Sequence, residues 1–434
     1  MDSTAVILAA GFGTRMRSRL PKTLHKLAGR SMLRHLLASV EQVFDRIIVV
    51  IGPEMDAVRK EAAPHACVVQ HDPRGTAHAA LMAVPEFGDG KVAVLYADNP
   101  LIQPETLRRL LDHNAPLALL AFRPSDPACY GRVFMRNDSV ERIVEWTDAS
   151  ETERAEGLCN GGMLCAASAD MKRWLHQVRT DNAKGEYYLT DVVTLARGEG
   201  ARVAAIEASA EELVGINSRS ELAVAEAVVQ GRLRAAAMDA GVTMTDPGSV
   251  FLCFDTQFAP DVTIEPNVVF GPGVSVGAGA EILAFCHLHG CTIGERCIVG
   301  PFARIRPVTV LAETVHIGNF VELKAANLGV GAKANHLSYL GDTEVGTATN
   351  IGAGTITCNY DGFGKYQTKI GAYAFVGSDT ALVAPVTVGD GAAIAAGSVI
   401  TEDVPADALA IARQRQVNKP GRAASMPHAR KRKR

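Results

Sequence analysis

The segment that decides the fold of the C-terminal half is IGERCIVGPFARIRPVTVLAETVHI, residues 293–317. An aliphatic residue returns at every sixth position of this segment: Ile293, Val299, Ile305, Leu311 and Ile317. A period of six fits neither an α-helix nor an isolated hairpin. It is typical of hexapeptide repeats that coil into a parallel β-helix with three flat faces. The segment therefore predicts a solenoid in which one side chain per hexad points inward.

The same period extends the predicted β-helix in both directions. It is present by Ile264 and continues to Leu323, and a second run begins at Ile370. Because the phase breaks between the two runs, we expect a loop to leave the coil there, around residues 359–367. The β-helix is therefore assigned to residues 248–420.

The N-terminal half has a different rhythm, in which short apolar runs alternate with helical periodicity. Residues 4–9 and 47–51 are strand-like, and apolar residues between positions 32 and 43 recur with helical spacing. This alternation predicts an α/β domain with a mostly parallel sheet, in which ligands bind at the carboxyl ends of the strands. We expect this Rossmann-like domain to occupy residues 1–219 and a linker helix to lie within residues 220–247.

Size and composition limit the classes of function. The length of 434 residues favours more than one domain, and the net charge of −3 gives no electrostatic reason to expect nucleic-acid or membrane partners. The nine cysteines lack the spacing of a zinc site, and no apolar stretch has the ~20 residues that span a bilayer. We therefore expect a cytoplasmic protein with small-molecule partners, and we interpret the basic tail, residues 421–434, as a disordered end.

Residues that can carry chemistry follow the first strand, in LAAGFGTRM (residues 8–16) and LPK (residues 20–22). Glycines let backbone N–H groups approach phosphates, and Arg15 and Lys22 supply positive charge. The third glycine of a dinucleotide fingerprint is missing, which argues against a dinucleotide site. For each residue taken singly, a tight turn with surface cations stays open as an alternative. Asp98 ends another strand, where a cap or turn role stands beside metal binding.

The two signatures together resemble one family, the bacterial bifunctional N-acetylglucosamine-1-phosphate uridyltransferase/glucosamine-1-phosphate acetyltransferases. LAAGFGTRM with LPK is similar to the signature of sugar-1-phosphate nucleotidyltransferases, and the hexapeptide repeats narrow the resemblance. It covers nearly the whole chain and implies an α/β nucleotidyltransferase domain followed by a left-handed parallel β-helix. It also implies acetyl transfer from acetyl-CoA to glucosamine 1-phosphate. The product, N-acetylglucosamine 1-phosphate, is then joined to UTP with release of pyrophosphate.

The resemblance assigns roles in the N-terminal domain. Arg15 and Lys22 are implied to neutralise phosphates, and Asp98 and Asn217 to bind Mg²⁺, which rarely receives a full protein cage. Gln70, Gly75 and Thr76 are implied to contact uracil. The residues implied to bind UTP and the nucleotide sugar are Leu8, Ala9, Gly11, Arg15, Lys22, Gln70, Gly75, Thr76, Tyr96, Asp98, Gly131, Glu145, Asn160 and Asn217, of which Gly131, Glu145 and Asn160 match acetamido-sugar positions.

The resemblance also assigns roles in the β-helix. His336, in NHLSYLGD (residues 335–342), resembles a general base that takes a proton from the 2-ammonium group of glucosamine 1-phosphate. Neutral imidazole can perform that step near pH 7. The residues implied to hold the amino sugar are Arg306, Lys324, Tyr339 and Asn350, and those implied to contact acetyl-CoA are Asn359, Tyr360, Ser378, Ala396 and Arg413. The acetyl-CoA site of this family lies between the β-helices of neighbouring subunits, so a homotrimer is expected.

Several positions depart from the pattern of this family. Ala97 and Gly161 stand where glycine and threonine are usual, and Trp146-Thr147 replaces a more polar pair. Asn335 replaces a glycine, and Ala325 replaces a second lysine. These departures bear on sugar selectivity and affinity.

Two other functional classes stay open at this stage. One is a related glucose-1-phosphate adenylyl- or thymidylyltransferase whose β-helix serves only assembly. The other is a scaffold that kept both folds and lost both activities. A β-helix that served only assembly would have no need of the segments NHLSYLGD (residues 335–342) and NIGAGTITCNYDG (residues 350–362). The presence of Arg15, Lys22, Asp98 and His336 argues against the inactive scaffold.

Overall fold

The computed structural model describes residues 2–127 and 130–426. The chain divides into two compact units, the first ending at Arg232 and the second beginning at Leu233. This division falls inside a long helix, Arg219–Asp239, in the region where the sequence predicts a linker helix. Cys129 and residues 427–434 of the basic tail lie outside the described residues. Within the described residues, no helix has both the length and the apolar character needed to cross a membrane.

The N-terminal unit is built on a nine-stranded, mostly parallel sheet. The strands of this unit are β1 (Ser3–Leu8), β2 (Lys26–Leu27), β3 (Arg30–Ser31), β4 (Arg46–Ile51), β5 (Ala66–Val69), β6 (Lys91–Tyr96), β7 (Leu117–Phe122), β8 (Arg132–Arg136), β9 (Ser139–Val144), β10 (Cys159–Ala167) and β11 (Val203–Glu207). Their order in the sheet is β11-β7-β10-β6-β1-β4-β5, with β8 and β9 attached at β10. Only β10 runs antiparallel to both of its neighbours along this path.

Helices cover both faces of this sheet, as the sequence predicts. In chain order, the α-helices up to Asp239 are α1 (Met32–Val40), α2 (Asp56–Ala62), α3 (Thr76–Met82), α4 (Pro104–Asp112), α5 (Glu151–Arg154), α6 (Ser168–Gln177), α7 (Asp191–Gly198), α8 (Ala210–Leu213) and α9 (Arg219–Asp239). Successive side chains of a strand point to opposite faces, so Ala5 and Ile7 of β1 pack in the core that contains α1, α2 and α4. Val6 packs in the opposite core, with α3, α6 and α7.

The second unit is a left-handed parallel β-helix with three faces, each a column of short strands that pair in parallel between successive coils. One column contains Thr243–Met244, Thr263–Ile264, Glu281–Ile282, Ile298–Val299, His316–Asn319, Lys333–His336, Asn350–Ile351, Phe375–Val376, Ala393–Ile394 and Leu409–Ala410. The other two columns contain Gln257–Phe258, Val269–Phe270, Ser275–Val276, His287–Leu288, Cys291–Ile293, Arg304–Ile305, Thr309–Leu311, Glu322–Leu328, Tyr339–Val345, Ile356–Cys358, Thr368–Ile370, Ala381–Val383, Val386–Val388 and Val399–Ile400. The aliphatic residue of each hexad is buried in one continuous core, as predicted.

Two further features of this unit are the backbone conformation of its corners and one loop that leaves the coil. Several corner residues adopt the left-handed backbone region without being glycine, including Phe302, Phe320 and Leu337, with φ of 57°, 56° and 53°. The predicted loop is present: residues 359–367 connect Ile356–Cys358 to Thr368–Ile370. It folds back on itself through a bridge between Tyr360 and Lys365.

Candidate functional site

The predicted phosphate-binding loop leaves the carboxyl end of β1. Leu8 ends the strand, the Ala9 N–H donates to the Val50 carbonyl oxygen, and the chain then turns into a short 3₁₀ helix, Thr14–Met16. Gly11 is exposed, with open space beside its α-carbon, and Arg15 is also exposed. The loop thus presents backbone and one guanidinium to solvent at the strand end.

Three predicted residues from distant parts of the chain meet beside this loop. Lys22 Nζ lies 2.6 Å from Asp98 Oδ2 and 2.9 Å from Asn217 Oδ1. Asp98 follows β6, and its carbonyl oxygen accepts from the Ile216 N–H at 2.9 Å, which fixes the segment carrying Asn217. Glu221, in the first turn of α9, accepts from the Asn217 N–H at 2.6 Å. One carboxylate oxygen and one amide oxygen therefore contact the same cation, the Lys22 ammonium.

The contacts of Lys22 also indicate whether the Asp98 and Asn217 side chains suit a divalent metal. Carboxylate and amide oxygens are hard ligands, and the Lys22 ammonium shows that both can face a single positive charge. The described residues contain no group of three or more His, Cys, Asp or Glu side chains placed to hold an ion. Two protein ligands with room for phosphate oxygens and water is the arrangement that Mg²⁺ usually accepts.

The residues expected at uracil lie at the start of α3. Gln70 is 4% exposed and donates from Nε2 to the Gly75 carbonyl oxygen at 3.2 Å. Gly75 has φ of 116°, and a Cβ there would lie 2.5 Å from the Tyr187 carbonyl oxygen, so only glycine fits. Thr76 Oγ1 accepts from the Leu189 N–H at 3.0 Å. The turn is thus held against the segment that precedes α7.

The residues expected at the acetamido sugar also lie together. The Asn160 N–H donates to the Gly131 carbonyl oxygen at 2.8 Å, and a Cβ at Gly131 would lie 3.2 Å from Glu145 Oε2. Thr190 Oγ1 donates to Glu145 Oε1 at 3.1 Å, while burial raises the pKa of the Glu145 carboxyl. Burial also raises the pKa of Tyr96, whose ring packs against Gly162, where a Cβ would lie 2.1 Å from the ring carbon Cε2.

Trp146, one of the departures from the family's pattern, has a structural role that sequence reasoning missed. The guanidinium carbons of Arg132 and Arg154 lie 5.0 Å and 4.4 Å from its ring centre. Arg132 is 1% exposed and donates to the carbonyl oxygens of Tyr130 and Pro127. We call these three side chains the Trp146 stack. It ties the chain before Gly131 to the chain after Glu145.

Two other departures in this unit are also placed. Ala97 is buried between Tyr96 and Asp98. Gly161 leaves no room for the usual threonine, because a Cβ would lie 2.9 Å from the Leu120 carbonyl oxygen and 3.0 Å from Leu213 Cδ1.

In the β-helix, His336 lies at an exposed corner and has a defined partner. Its Nδ1 is 2.9 Å from Asn319 Oδ1, one coil earlier. An amide oxygen can only accept, so Nδ1 donates to it, and in the neutral ring this leaves the lone pair on Nε2. Sequence reasoning did not single out Asn319, although the two residues pair in adjacent strands. The preceding departure, Asn335, leaves its side-chain oxygen buried without a partner among the described residues.

A cluster of charges lies on a neighbouring face. Lys324 Nζ is 3.4 Å from Asp342 Oδ2, and that carboxylate also accepts from Asn359 Nδ2 at 2.5 Å. Lys365, in the 359–367 loop, was not predicted; the Lys324 ammonium beside it lowers the pKa of Lys365. Arg306 pairs with Glu322 at 2.9 Å. Cations from two coils and the loop thus face one region.

The remaining predicted residues of this unit lie on several coils. Tyr339 pairs with Glu322 in one column, whereas Asn350 pairs with Lys333 in the column of His336. Ser378, Ala396 and Arg413 are exposed on successive coils, with the Gly397 N–H donating to the Ser378 carbonyl oxygen at 2.8 Å. Tyr360 is exposed and donates to the Gly362 carbonyl oxygen at 2.7 Å.

Comparisons with known proteins agree with both units. The MobA-like NTP transferase domain matches residues 5–182, and the bacterial transferase hexapeptide (six repeats) matches residues 274–307 and 367–402. The chain is 61% identical over 430 residues to the bifunctional protein GlmU of Acidiphilium cryptum, covering 98% of each chain. It is 60% identical over 439 residues to that of Gluconacetobacter diazotrophicus, covering 99% of this chain and 95% of the relative. It is 60% identical over 433 residues to that of Granulibacter bethesdensis, covering 98% and 96%.

Proposed function

The chain belongs to the GlmU family of bifunctional proteins, and from this premise we propose how its residues divide the work between two reactions. It is a transferase of UDP-N-acetylglucosamine synthesis, with an N-terminal nucleotidyltransferase domain and a C-terminal hexapeptide acetyltransferase domain. Acetyl transfer from acetyl-CoA to glucosamine 1-phosphate makes N-acetylglucosamine 1-phosphate. Uridylyl transfer from UTP to that product then releases pyrophosphate.

The observation that carries the uridylyl assignment is the meeting of Lys22, Asp98 and Asn217 at the strand ends. The family requires a divalent metal, and we take it to be Mg²⁺, held by Asp98 and Asn217. When bound, the ion would neutralise phosphate charge that develops as pyrophosphate leaves. Lys22 and Arg15 would neutralise the remaining phosphate oxygens. The sugar phosphate oxygen attacks the α-phosphorus, and the bond to pyrophosphate breaks.

The N-terminal residues mainly orient two polyanions for that displacement. Gly11 and its neighbours Leu8 and Ala9 would admit the nucleotide to the backbone of the loop, because no side chain fills the space beside Gly11. Gly131, Glu145 and Asn160 would hold the acetamido sugar, with Glu145 as an acceptor for sugar hydroxyls. Orientation of this kind is a large part of catalysis when the protein supplies no covalent intermediate.

In the β-helix, the Asn319–His336 pair supports His336 as the general base. Because Asn319 holds the proton on Nδ1, Nε2 is free to accept a proton from the 2-ammonium group. The neutral amine then attacks the acetyl carbonyl carbon, and the CoA thiolate leaves. Arg306, Lys324 and Lys365 would hold the sugar phosphate, with Tyr339 and Asn350 around the sugar.

Assembly as a homotrimer is part of the same proposal. Phe285, Phe302 and Phe320 form a stacked ladder on one corner of the coil, with ring centres 4.8 Å and 5.2 Å apart. About half of each ring is exposed, which is a costly surface for an isolated subunit. The ladder ends at Phe320, next to Asn319, so a neighbouring subunit packed there would border the Asn319–His336 pair. The residues proposed to contact acetyl-CoA are Asn359, Tyr360, Ser378, Ala396 and Arg413. Because UTP and acetyl-CoA are cytoplasmic metabolites, a cytoplasmic location belongs to the proposal.

Two variants of the full chain test the division of labour. Asp98→Ala should abolish pyrophosphate release from UTP, with acetyl transfer near that of the wild type. His336→Ala should lose about 10²- to 10⁴-fold in acetyl transfer, the range for a missing general base, and should still turn over UTP. Free thiol and pyrophosphate are followed separately in one incubation with Mg²⁺. Equal loss of both activities in either folded variant would contradict the assignment.

A further inference from the structure

Gln70 is held by two hydrogen bonds that use its two amide hydrogens. Nε2 donates to the Gly75 carbonyl oxygen at 3.2 Å and lies 3.0 Å from His78 Nδ1. A backbone carbonyl oxygen can only accept, so the NH₂ end of the amide, not its oxygen, must face Gly75. The orientation of the Gln70 amide therefore follows from chemistry.

The same pair of contacts selects the tautomer of His78. One amide hydrogen points to Gly75, so the other points to His78 Nδ1, which must accept it. This contact requires the tautomer whose ring proton is on Nε2. With both amide hydrogens in use, the oxygen Oε1 is the part of Gln70 left to meet a ligand, and it receives no hydrogen bond within the described residues.

The surroundings of His78 keep its ring in place. The ring lies 6.0 Å from that of Tyr187, whose hydroxyl accepts from Arg74 at 3.3 Å. The Tyr187 backbone bonds both sides of the turn: its N–H donates to Arg74, and its carbonyl oxygen accepts from Ala77. The Tyr187 segment thus contacts both the His78 ring and the turn that carries Gly75.

We propose that His78 is a positioning residue for base selection: together with the Gly75 carbonyl oxygen, it holds the Gln70 amide with its oxygen toward the base, so that the site prefers uracil to cytosine. Uracil carries a hydrogen on N3 that Oε1 can accept, whereas N3 of cytosine is itself an acceptor and would face a second acceptor. The proposal rests on the proposed function, in which Gln70 contacts the base of UTP. An amide turned the other way would present NH₂ to the N3–H of uracil and favour cytosine.

Two nearly isosteric substitutions separate the hydrogen-bonding role of His78 from its volume. His78→Asn keeps an acceptor oxygen near the position of Nδ1, and His78→Leu does not. The measurement is kcat/KM for UTP relative to CTP, with N-acetylglucosamine 1-phosphate and Mg²⁺. We expect His78→Leu to lower the UTP/CTP ratio about tenfold, the equivalent of one net hydrogen bond of about 1.4 kcal/mol, mainly through KM for UTP. His78→Asn should stay within about threefold of the wild-type ratio.

His71→Leu is the matched control, since His71 is exposed and makes no side-chain hydrogen bond within the described residues. It should leave the ratio unchanged. A folded His78→Leu protein with the wild-type ratio would overturn the proposal, and so would an Asn variant as unselective as the Leu variant. If the Leu variant does not fold, His78→Ala is measured against the same criterion. Failure of the wild type to use UTP at all would instead refute the proposed function.

Discussion

Replacing Trp146 with leucine should destabilise the N-terminal unit by about 2–3 kcal/mol. The ring of Trp146 contacts two guanidiniums, one from the buried Arg132 and one from the exposed Arg154. A cation–π contact is worth about 2 kcal/mol when desolvated and about 0.5–1 kcal/mol when exposed. Leucine keeps much of the apolar volume and removes both contacts, so their sum is the expected loss. Phenylalanine retains an aromatic face and should lose less than half as much.

The two tryptophans of the chain make this measurement specific. Trp146 and Trp174 both lie in the N-terminal unit, and Trp174 is 1% exposed, so its fluorescence reports the unfolding of that unit within the full chain. Trp146→Leu and Trp146→Phe share this single reporter and can be compared directly in urea. A difference of less than about 0.5 kcal/mol in the free energy of unfolding between them would refute the stacking argument.

The Trp146 stack should also affect catalysis, because it ties together the chain segments that carry Gly131 and Glu145. Arg154 donates to the Trp146 carbonyl oxygen at 3.1 Å, and Arg132 Nε donates to the Arg154 carbonyl oxygen at 3.2 Å. Loss of the ring should raise KM for N-acetylglucosamine 1-phosphate several-fold and change kcat less. An unchanged KM in the folded Leu variant would mean that the stack serves stability alone.

Three further predictions follow from single contacts. Burial raises the pKa of Glu145, so its carboxylate takes up a proton at a higher pH than a free glutamate does. KM for N-acetylglucosamine 1-phosphate should therefore rise as the pH falls through that range, and Glu145→Gln should flatten this dependence of KM on pH. Gly161→Thr should lower the free energy of unfolding by about 1–3 kcal/mol, since its Cβ would crowd Leu120, and an unchanged urea midpoint would contradict this. Phe302→Ser with Phe320→Ser should shift sedimentation to smaller species and reduce acetyl transfer while UTP turnover persists; an intact trimer would rule out the ladder as the contact.

The fold was predictable because its two halves carry different periods. The six-residue repeat places one aliphatic side chain per hexad in a core, and Val299 and Ile317 are buried as that rule requires. The break in phase gave the position of the 359–367 loop. Alternating strands and helices predicted the α/β unit, although the antiparallel direction of β10 has no sequence signal of comparable strength.

The parts of the site that escaped prediction depend on side-chain contacts between segments far apart in sequence. In the sequence, His78 looks like an ordinary residue of a helix. Its proposed role follows from the contacts of the Gln70 amide with His78 and Gly75. In the sequence, Trp146 is an isolated departure from the family's pattern, and only the structure shows the Arg132 guanidinium carbon 5.0 Å from its ring centre. In both cases the information lies in the orientation of polar groups, which residue types and spacing do not record.

Asn319 differs from these cases, because a signal for it was present in the sequence. Each coil takes up 17 or 18 residues, as the pairings of Val299 with Ile317 and of Ile317 with Ala334 indicate. Counting back 17 residues from His336 reaches Asn319, the side chain that holds its proton on Nδ1. In a solenoid, the partner of a candidate site residue can therefore be found by counting one coil, since the repeat fixes which residues are neighbours. No such count exists for Lys22 and its partners, whose meeting depends on the whole sheet.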